Sequence, residues 1–280
     1  MTVMYESAPA QELRVAAVQL QSQDDLPENL AHAEKLVSRA ARAGAELVVL
    51  PENFAYMGND AGKRAVAEAL TDPEAPIQRA VRELARRERV VIVAGGYPEK
   101  SADADRPFNT SFVVDASGEL VASYRKIHLF DVDLGPHGSL RESRSTTAGN
   151  DVVVTSLNGF GIGLSICYDL RFPELYRSLV DRGAEILTVP SAFTLTTGKD
   201  HWHALLRARA IESQCYVVAA AQWGRHPEGR QTYGHALIAD PWGTVIAEAS
   251  DGTGLAIGTV ERAFLADVRK KVPCLTHRRL

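Results

Sequence analysis

Three side chains able to make and break an acyl bond stand just past runs that read as buried strands. Glu52 follows Glu46-Leu-Val-Val-Leu-Pro51, Lys126 closes Ser123-Tyr-Arg-Lys126, and Cys167 follows Gly163-Leu-Ser-Ile166. A thiol, a carboxylate and an ammonium brought to one edge of a sheet can form and hydrolyse an acyl thioester: the carboxylate takes and returns the proton while the sulfur carries the acyl group.

Each residue also has a plain structural reading. Cys167 leaves a strand and enters Tyr168-Asp-Leu-Arg-Phe-Pro173, which opens a helix. On such a turn the positive helix end would favour the thiolate, and the Tyr168 N–H could point at an oxyanion. The plain alternative is a small buried hydrophobe, the usual fate of a free cysteine. Glu52, buried after a continuous apolar strand, would have a raised pKa and serve as a general base; alone it could equally be a solvated or capping residue. Lys126 alone reads as half of an exposed basic pair with Arg125. The chemistry rests on the three together.

The elements that must position them alternate. An apolar strand at 13–20 is followed by a helix from about Pro27 to Ala43, with Leu30, Ala33, Leu36, Val37 and Ala40 at helical spacing, stopped by Gly44. A strand at 45–50, a helix at 78–87 and a strand at 90–95 repeat the pattern, which predicts a layered α/β domain. Two hairpins follow, 110–114 with 120–126 turning at Asp115-Ala-Ser-Gly118, and 152–156 with 162–167 turning at Asn158-Gly159. Beyond Cys167 come a helix at 172–182, a strand at 184–189, a helix from Trp202 to Ser213, a strand at 216–221, and a hairpin of 234–239 with 244–247. The unit Gly44-Ala-Glu-Leu-Val-Val-Leu-Pro51 is echoed by Gly183-Ala-Glu-Ile-Leu-Thr-Val-Pro190, suggesting two similar halves packed as one sandwich of two sheets with helices outside. No segment reads as a linker, so residues 1–280 are expected to form a single domain, with a basic C-terminal arm from about 265.

Composition narrows the function classes. With 31 basic and 35 acidic residues the formal net charge is −4, so no global positive field exists to hold nucleic acid or an anionic membrane. No apolar run reaches the ~20 residues needed to span a bilayer, and the N-terminus has no targeting pattern; the expected location is the cytoplasm. Cys167, Cys215 and Cys274 are odd in number and show no Cys-x-x-Cys pairing, against a disulfide framework or zinc knuckle.

The trio lies in motifs that resemble the nitrilase superfamily of carbon–nitrogen hydrolases, over about 13–279. The motifs are Leu50-Pro-Glu52-Asn-Phe54, Tyr124-Arg-Lys126-Ile-His-Leu129 and Ser165-Ile-Cys167-Tyr-Asp-Leu-Arg-Phe-Pro-Glu174. The resemblance implies a four-layer αββα sandwich of two mixed sheets, a homodimer that extends the sandwich across its interface, and no metal or organic cofactor. It implies Glu52 as general base, Lys126 as cationic stabiliser of the oxyanion, Cys167 as nucleophile and Glu142, in Leu140-Arg-Glu-Ser143, as the second glutamate that orients them.

The closest branch is that of amidases acting on deaminated glutathione, through Leu129-Phe-Asp-Val-Asp133, Pro190-Ser-Ala-Phe193, residues 205–216 and Tyr233-Gly-His235. That branch implies a small carboxylate-bearing amide as substrate, with 2-oxoglutarate and Cys-Gly as products, and Tyr168, Arg171, Phe193 and Thr194 around it. Arg171 could hold a substrate carboxylate by paired hydrogen bonds, or be engaged by Asp169 or Glu174. His203 departs from the family, which usually carries an acidic residue after His-Trp. An ω-amidase acting on 2-oxoglutaramate is the runner-up, and an N-carbamoyl or aliphatic amide hydrolase is third.

Other classes have weaker signals. Gly159-Phe-Gly-Ile-Gly163 lies at a hairpin turn, whereas a phosphate-binding glycine loop opens a helix. His201-Trp-His203 has no acidic or cysteine partner at metal-ligand spacing along the sequence. A non-catalytic thiol or interaction protein would leave Glu52, Lys126 and Glu142 without purpose, and no resolving cysteine neighbours Cys167.

Overall fold

The computed structural model describes residues 10–133, 135 and 139–279. In chain order the first half contains β1 (Glu12–Leu20), α1 (Leu26–Arg42), β2 (Leu47–Leu50), α2 (Asp60–Ala65), α3 (Pro76–Glu88), β3 (Val91–Glu99), β4 (Phe108–Val114), β5 (Leu120–Arg125), β6 (Asp131–Asp133) and β7 (Ser139–Arg141). The second half contains β8 (Val154–Leu157), β9 (Phe160–Leu164), α4 (Pro173–Asp181), β10 (Ile186–Thr188), α5 (Leu195–Ser213), β11 (Tyr216–Ala219), β12 (Ala221–Arg225), β13 (Gln231–Tyr233), β14 (Leu237–Ala239), β15 (Val245–Glu248), β16 (Gly254–Glu261) and α6 (Arg262–Lys271).

The strands form two large mixed sheets. One runs β13-β12-β1-β2-β3-β4-β5, with β16 antiparallel to β1; the other runs β15-β14-β11-β10-β9-β8. Side-chain alternation decides how they stack. Leu13, Val15 and Ala17 of β1 join a core with Phe160, Ile162 and Leu164 of β9, between the sheets. Ala16, Val18 and Leu20 point the other way, onto Ala33, Leu36 and Val37 of α1 and Ile77, Val81 and Leu84 of α3. Leu175 and Leu179 of α4, with Trp202 and Leu206 of α5, cover the outer face of the second sheet. The result is the expected αββα sandwich. Strands such as Leu47–Leu50 are apolar throughout because both faces are buried.

The echoed unit has a structural counterpart. β2 lies between parallel β1 and β3, and β10 lies between parallel β9 and β11. The Gly159-to-Gly163 run falls in the β8–β9 hairpin, with Asn158 and Gly159 both at positive φ.

Three elements differ from the sequence reading. The strand read at 216–221 is two strands: β11 belongs to the second sheet and β12, starting at Ala221, to the first. Helix α5 begins at Leu195, seven residues before Trp202, because Thr194 caps it by accepting from the Thr197 N–H at 3.4 Å. The segment read as an arm from about 265 starts inside α6, whose Leu265 and Val268 are buried and whose Arg269 Nε donates to the Gln214 carbonyl at 3.1 Å. Among the described residues no helix is long and apolar enough to cross a membrane.

Candidate active site

The site forms where the ends of the two central strands meet. Pro51 and Pro190 close the echoed strands, and the residues after them are joined: the Ala192 N–H donates to Glu52 Oε2 at 2.9 Å. Opposite Glu52, β3 bulges between Ala94 and Tyr97, a common device for re-aiming groups beside a site. Gly96 sits there at φ +51°, and a Cβ on it would lie 2.8 Å from both Glu52 Cγ and Asn109 Oδ1. Only glycine tolerates both that conformation and that approach. Its carbonyl accepts from the Asn53 N–H at 2.8 Å, fixing the turn that carries Glu52.

Lys126, one residue past β5, is 1% exposed. Its Nζ donates to Glu52 Oε1 at 2.9 Å and to Glu142 Oε2 at 2.8 Å. Asn109 Nδ2 bridges the same two carboxylates, at 2.9 Å from Glu52 and 3.2 Å from Glu142. The Phe130 N–H adds a 2.7 Å bond to Glu142 Oε2. Burial opposes the lysine charge, but Glu142, Glu52 and Cys167 outweigh it and hold the ammonium well above the ordinary lysine value. Burial likewise opposes the Glu142 charge, while Lys126 and then Lys63 hold that carboxyl below its usual range. Lys63, reaching in from α2, donates to Thr146 Oγ1 at 2.6 Å, and burial pushes its ammonium below the ordinary value against the pull of Glu142.

Cys167 begins a 3₁₀ turn, Cys167–Arg171, two residues beyond Ser165. It holds φ +48°, uncommon for a residue with a side chain, and its N–H donates to the Pro190 carbonyl at 2.9 Å. That bond fixes the turn that carries the thiol, where the Glu52 carboxylate acts on it electrostatically. The thiol departs from the expected thiolate. Burial and the Glu52 carboxylate raise its pKa well above the ordinary thiol value, against the pull of Lys126. The long helix α4 starts only at Pro173, so its dipole is not at the sulfur. A neutral resting thiol therefore needs a base in the step that uses it.

Asp169 braces this turn from below. It is fully buried and accepts from Tyr124 Oη at 2.7 Å, from the Ile166 N–H at 2.8 Å and from the His128 N–H at 3.0 Å, with His128 Nδ1 at 2.7 Å. The Tyr124-to-Leu129 motif and the Cys167 motif are thus tied together by one carboxylate. With Asp169 so engaged, Arg171 takes neither of the acidic partners open to it in the sequence. Its Nη1 lies 3.3 Å from His201 Nδ1, and its guanidinium carbon lies 5.1 Å from the Phe193 ring and 5.9 Å from the Tyr168 ring. Phe193 is buried against Trp202 at 5.2 Å, and the Thr194 hydroxyl is occupied at the α5 cap.

The structure thus gathers Glu52, Lys126, Glu142 and Cys167 into one buried cluster, and sets the Arg171 guanidinium over the rings of Tyr168 and Phe193. Asn109, Lys63, Asp169 and the Ala192 N–H are partners that sequence reasoning missed. Asn109 carried no distinct signal, being one of three consecutive polar residues, Asn109-Thr110-Ser111, near the start of β4. The absence of an acidic partner for His203 along the sequence is also corrected by the fold: Glu248 Oε1 lies 3.0 Å from His203 Nε2.

The chain belongs to the carbon–nitrogen hydrolase family, whose profile matches residues 14–270. It is a hydrolase of carbon–nitrogen bonds other than peptide bonds. Among its relatives is a deaminated glutathione amidase from Synechocystis sp. (strain PCC 6803 / GT-S), 47% identical over 266 residues that cover 94% of this chain and 97% of that protein. Among solved structures, the C. elegans NitFhit protein superposes with a TM-score of 0.90 at 39% identity, over 97% of this chain and 66% of that one. The chain thus spans just under two thirds of that fusion protein. An amidase from Nesterenkonia sp. AN1, in a form showing covalent addition of the acetamide moiety of fluoroacetamide at the active site cysteine, gives 0.76 at 26% identity, over 94% and 95% of the two chains.

Proposed function

We propose that the protein is a cysteine-dependent amidase that hydrolyses a small carboxylate-bearing amide through an acyl-thioester on Cys167, with deaminated glutathione as substrate. The observation that carries the reading is the buried carboxylate of Glu52, which accepts from the Lys126 ammonium at 2.9 Å and whose charge acts on the Cys167 thiol.

The roles follow from charge and reach. Glu52 takes the thiol proton as sulfur attacks the amide carbonyl, so no free thiolate has to persist in a buried site. The oxyanion that develops is held by the Lys126 ammonium and the Tyr168 N–H; such donors are each worth about 3–4 kcal/mol in comparable sites. Collapse breaks the C–N bond, and Glu52 returns its proton to the departing amine, which would otherwise leave poorly. Water, deprotonated by Glu52, then attacks the thioester, releasing the acid and restoring the thiol. Glu142 and Asn109 act through Lys126 and Glu52, fixing their positions.

The substrate rests on the similar amidase named above and on Arg171, which ends the 3₁₀ turn that Cys167 begins and whose guanidinium faces the Phe193 and Tyr168 rings without an acidic partner among the described residues. A carboxylate of the acyl group would complete that guanidinium with paired charged hydrogen bonds. Side-by-side hydrolysis of deaminated glutathione, 2-oxoglutaramate and glutaramate tests the assignment: preference for the first is expected, and equal or absent cleavage of it removes that substrate.

The whole chain works as one domain, and the working unit is a homodimer. Ile211 and Trp242 are large apolar side chains exposed by 49% and 56%. They lie on α5 and on the β14–β15 turn, which Arg207 Nε ties to α5 through the Gly243 carbonyl at 2.7 Å. Such a patch suits a second copy of the sandwich. Three free cysteines suit a reducing compartment such as the cytoplasm.

A further inference from the structure

Outside the Glu52, Lys126, Glu142 and Cys167 cluster, three potential metal ligands from distant parts of the sequence converge. His203 projects from α5, His235 lies in the connection between β13 and β14, and Glu248 ends β15. His203 Nε2 is 3.0 Å and His235 Nδ1 2.7 Å from the same oxygen, Glu248 Oε1. One ligand atom from each of the three falls within 4.8 Å of the others. The two histidines are half-buried and Glu248 is exposed.

We propose that His203, His235 and Glu248 form a binding site for one divalent transition-metal ion of the zinc class. Zinc takes imidazole nitrogen at about 2.0–2.1 Å and carboxylate oxygen at about 2.0–2.2 Å around a tetrahedron. Ligand atoms in that geometry stand roughly 3.3 Å apart by the same bond lengths; the two histidine–carboxylate separations of 3.0 and 2.7 Å fall just short of it and all three ligand atoms lie within 4.8 Å, so small side-chain rotations close the site. Two imidazoles select zinc, nickel, copper or cobalt over magnesium and calcium, which take oxygen sets. Solvent at the exposed carboxylate supplies the fourth ligand.

The surroundings hold the ligands in place. His235 has φ +58°, a conformation uncommon outside glycine, and its carbonyl accepts from Trp202 Nε1 at 2.8 Å. Trp202 precedes His203 in α5, so one helix fixes two members of the cluster. Asp251 Oδ1 lies 3.8 Å from His235 Nε2, on the ring nitrogen away from Glu248. A carboxylate at the second nitrogen of a metal-bound imidazole is the usual orienting partner. A bound ion would lock α5 to the β13–β14 connection and to the end of β15. The site shares no residue with the reacting groups, so its role is structural or regulatory.

The competing description is a hydrogen-bonded His-Glu-His cluster without a cation. The test uses the full chain carrying Cys167→Ala, so that the reactive thiol cannot ligate. Zn²⁺ is added, the protein is desalted and retained metal is measured; Co²⁺ is titrated while the visible spectrum is followed. One Zn²⁺ per chain is expected, a Zn²⁺-dependent rise in Tm that Mg²⁺ does not give, and Co²⁺ d–d bands without a sulfur charge-transfer band. His203→Ala and Glu248→Gln should each weaken Zn²⁺ binding more than tenfold, and Asp251→Asn by about tenfold. Circular dichroism before metal addition separates lost binding from lost fold. No retained metal, or retention unchanged in the folded His203→Ala/Glu248→Gln double variant, overturns the site.

Discussion

Glu52 and Glu142 share one ammonium: Lys126 Nζ lies 2.9 Å from the first carboxylate and 2.8 Å from the second. Two buried acids around one base leave net negative charge, and Asn109 Nδ2 spans the same pair. Lys63, which acts electrostatically on both Glu142 and Lys126, supplies the second positive charge.

Lys63→Met therefore alters a pH profile. Burial raises the Glu142 pKa, and Lys126 and Lys63 together more than offset it. Without Lys63 the Glu142 carboxyl protonates at higher pH, Lys126 loses a partner, and the acid limb of kcat/KM should move to higher pH. An unmoved acid limb in a folded Lys63→Met protein would remove Lys63 from the site's electrostatics.

Alkylation of Cys167 by iodoacetamide reports the thiol directly. Burial and the Glu52 charge hold its pKa well above the ordinary value, so labelling should rise only in alkaline solution. Glu52→Gln removes a negative charge and leaves Lys126 favouring the thiolate, which should shift labelling to lower pH. A shift in the opposite direction would mean that Glu52 does not neighbour the sulfur as described.

Arg171→Met separates recognition from chemistry. Hydrogen bonds to a charged group contribute roughly 1.5–3 kcal/mol, so KM for a carboxylate-bearing amide should rise about 10- to 100-fold by the same energy, with kcat little changed. A neutral aliphatic amide should show no such rise. Equal losses on both substrates would assign Arg171 to packing against Phe193 and Tyr168.

His226 makes folding stability pH-dependent. It is buried, with Nδ1 2.7 Å from the Ser22 carbonyl and Nε2 2.7 Å from Thr232 Oγ1. Burial lowers its pKa below the ordinary imidazole value. As pH falls through about 6.5, the unfolded chain takes up a proton that the folded chain resists, so stability falls with acidification. His226→Gln should flatten the dependence of urea midpoint on pH between about 7 and 5 by the same linkage; an unchanged slope would assign the acid sensitivity elsewhere.

The sequence made Glu52, Lys126 and Cys167 legible because each ends or follows a strand, where a side chain leaves the core at a sheet edge. Glu142 had no such signal, since it lies in a short 3₁₀ turn after β7, and only the family motif marked it. Lys63 was hidden for a related reason: α2 has six residues and buries none of them, so no apolar stripe betrays the helix. The strand read at 216–221 concealed a crossing between sheets because Tyr216 to Ala221 is buried at every position, and period alone cannot show where the hydrogen-bond partners change. β16 was missed although it pairs along β1 from Glu12 to Gln19; its two glycines, Gly254 and Gly258, dilute the strand pattern. The same limit applies to His203, whose partners His235 and Glu248 come together only in the folded chain.

Intact-mass spectrometry of the enzyme quenched during turnover of deaminated glutathione tests the thioester mechanism most directly. The expected result is a 2-oxoglutaryl adduct that maps to Cys167, is released by hydroxylamine, and is absent together with all turnover in a folded Cys167→Ala protein. Sustained amide hydrolysis by that variant would contradict the mechanism.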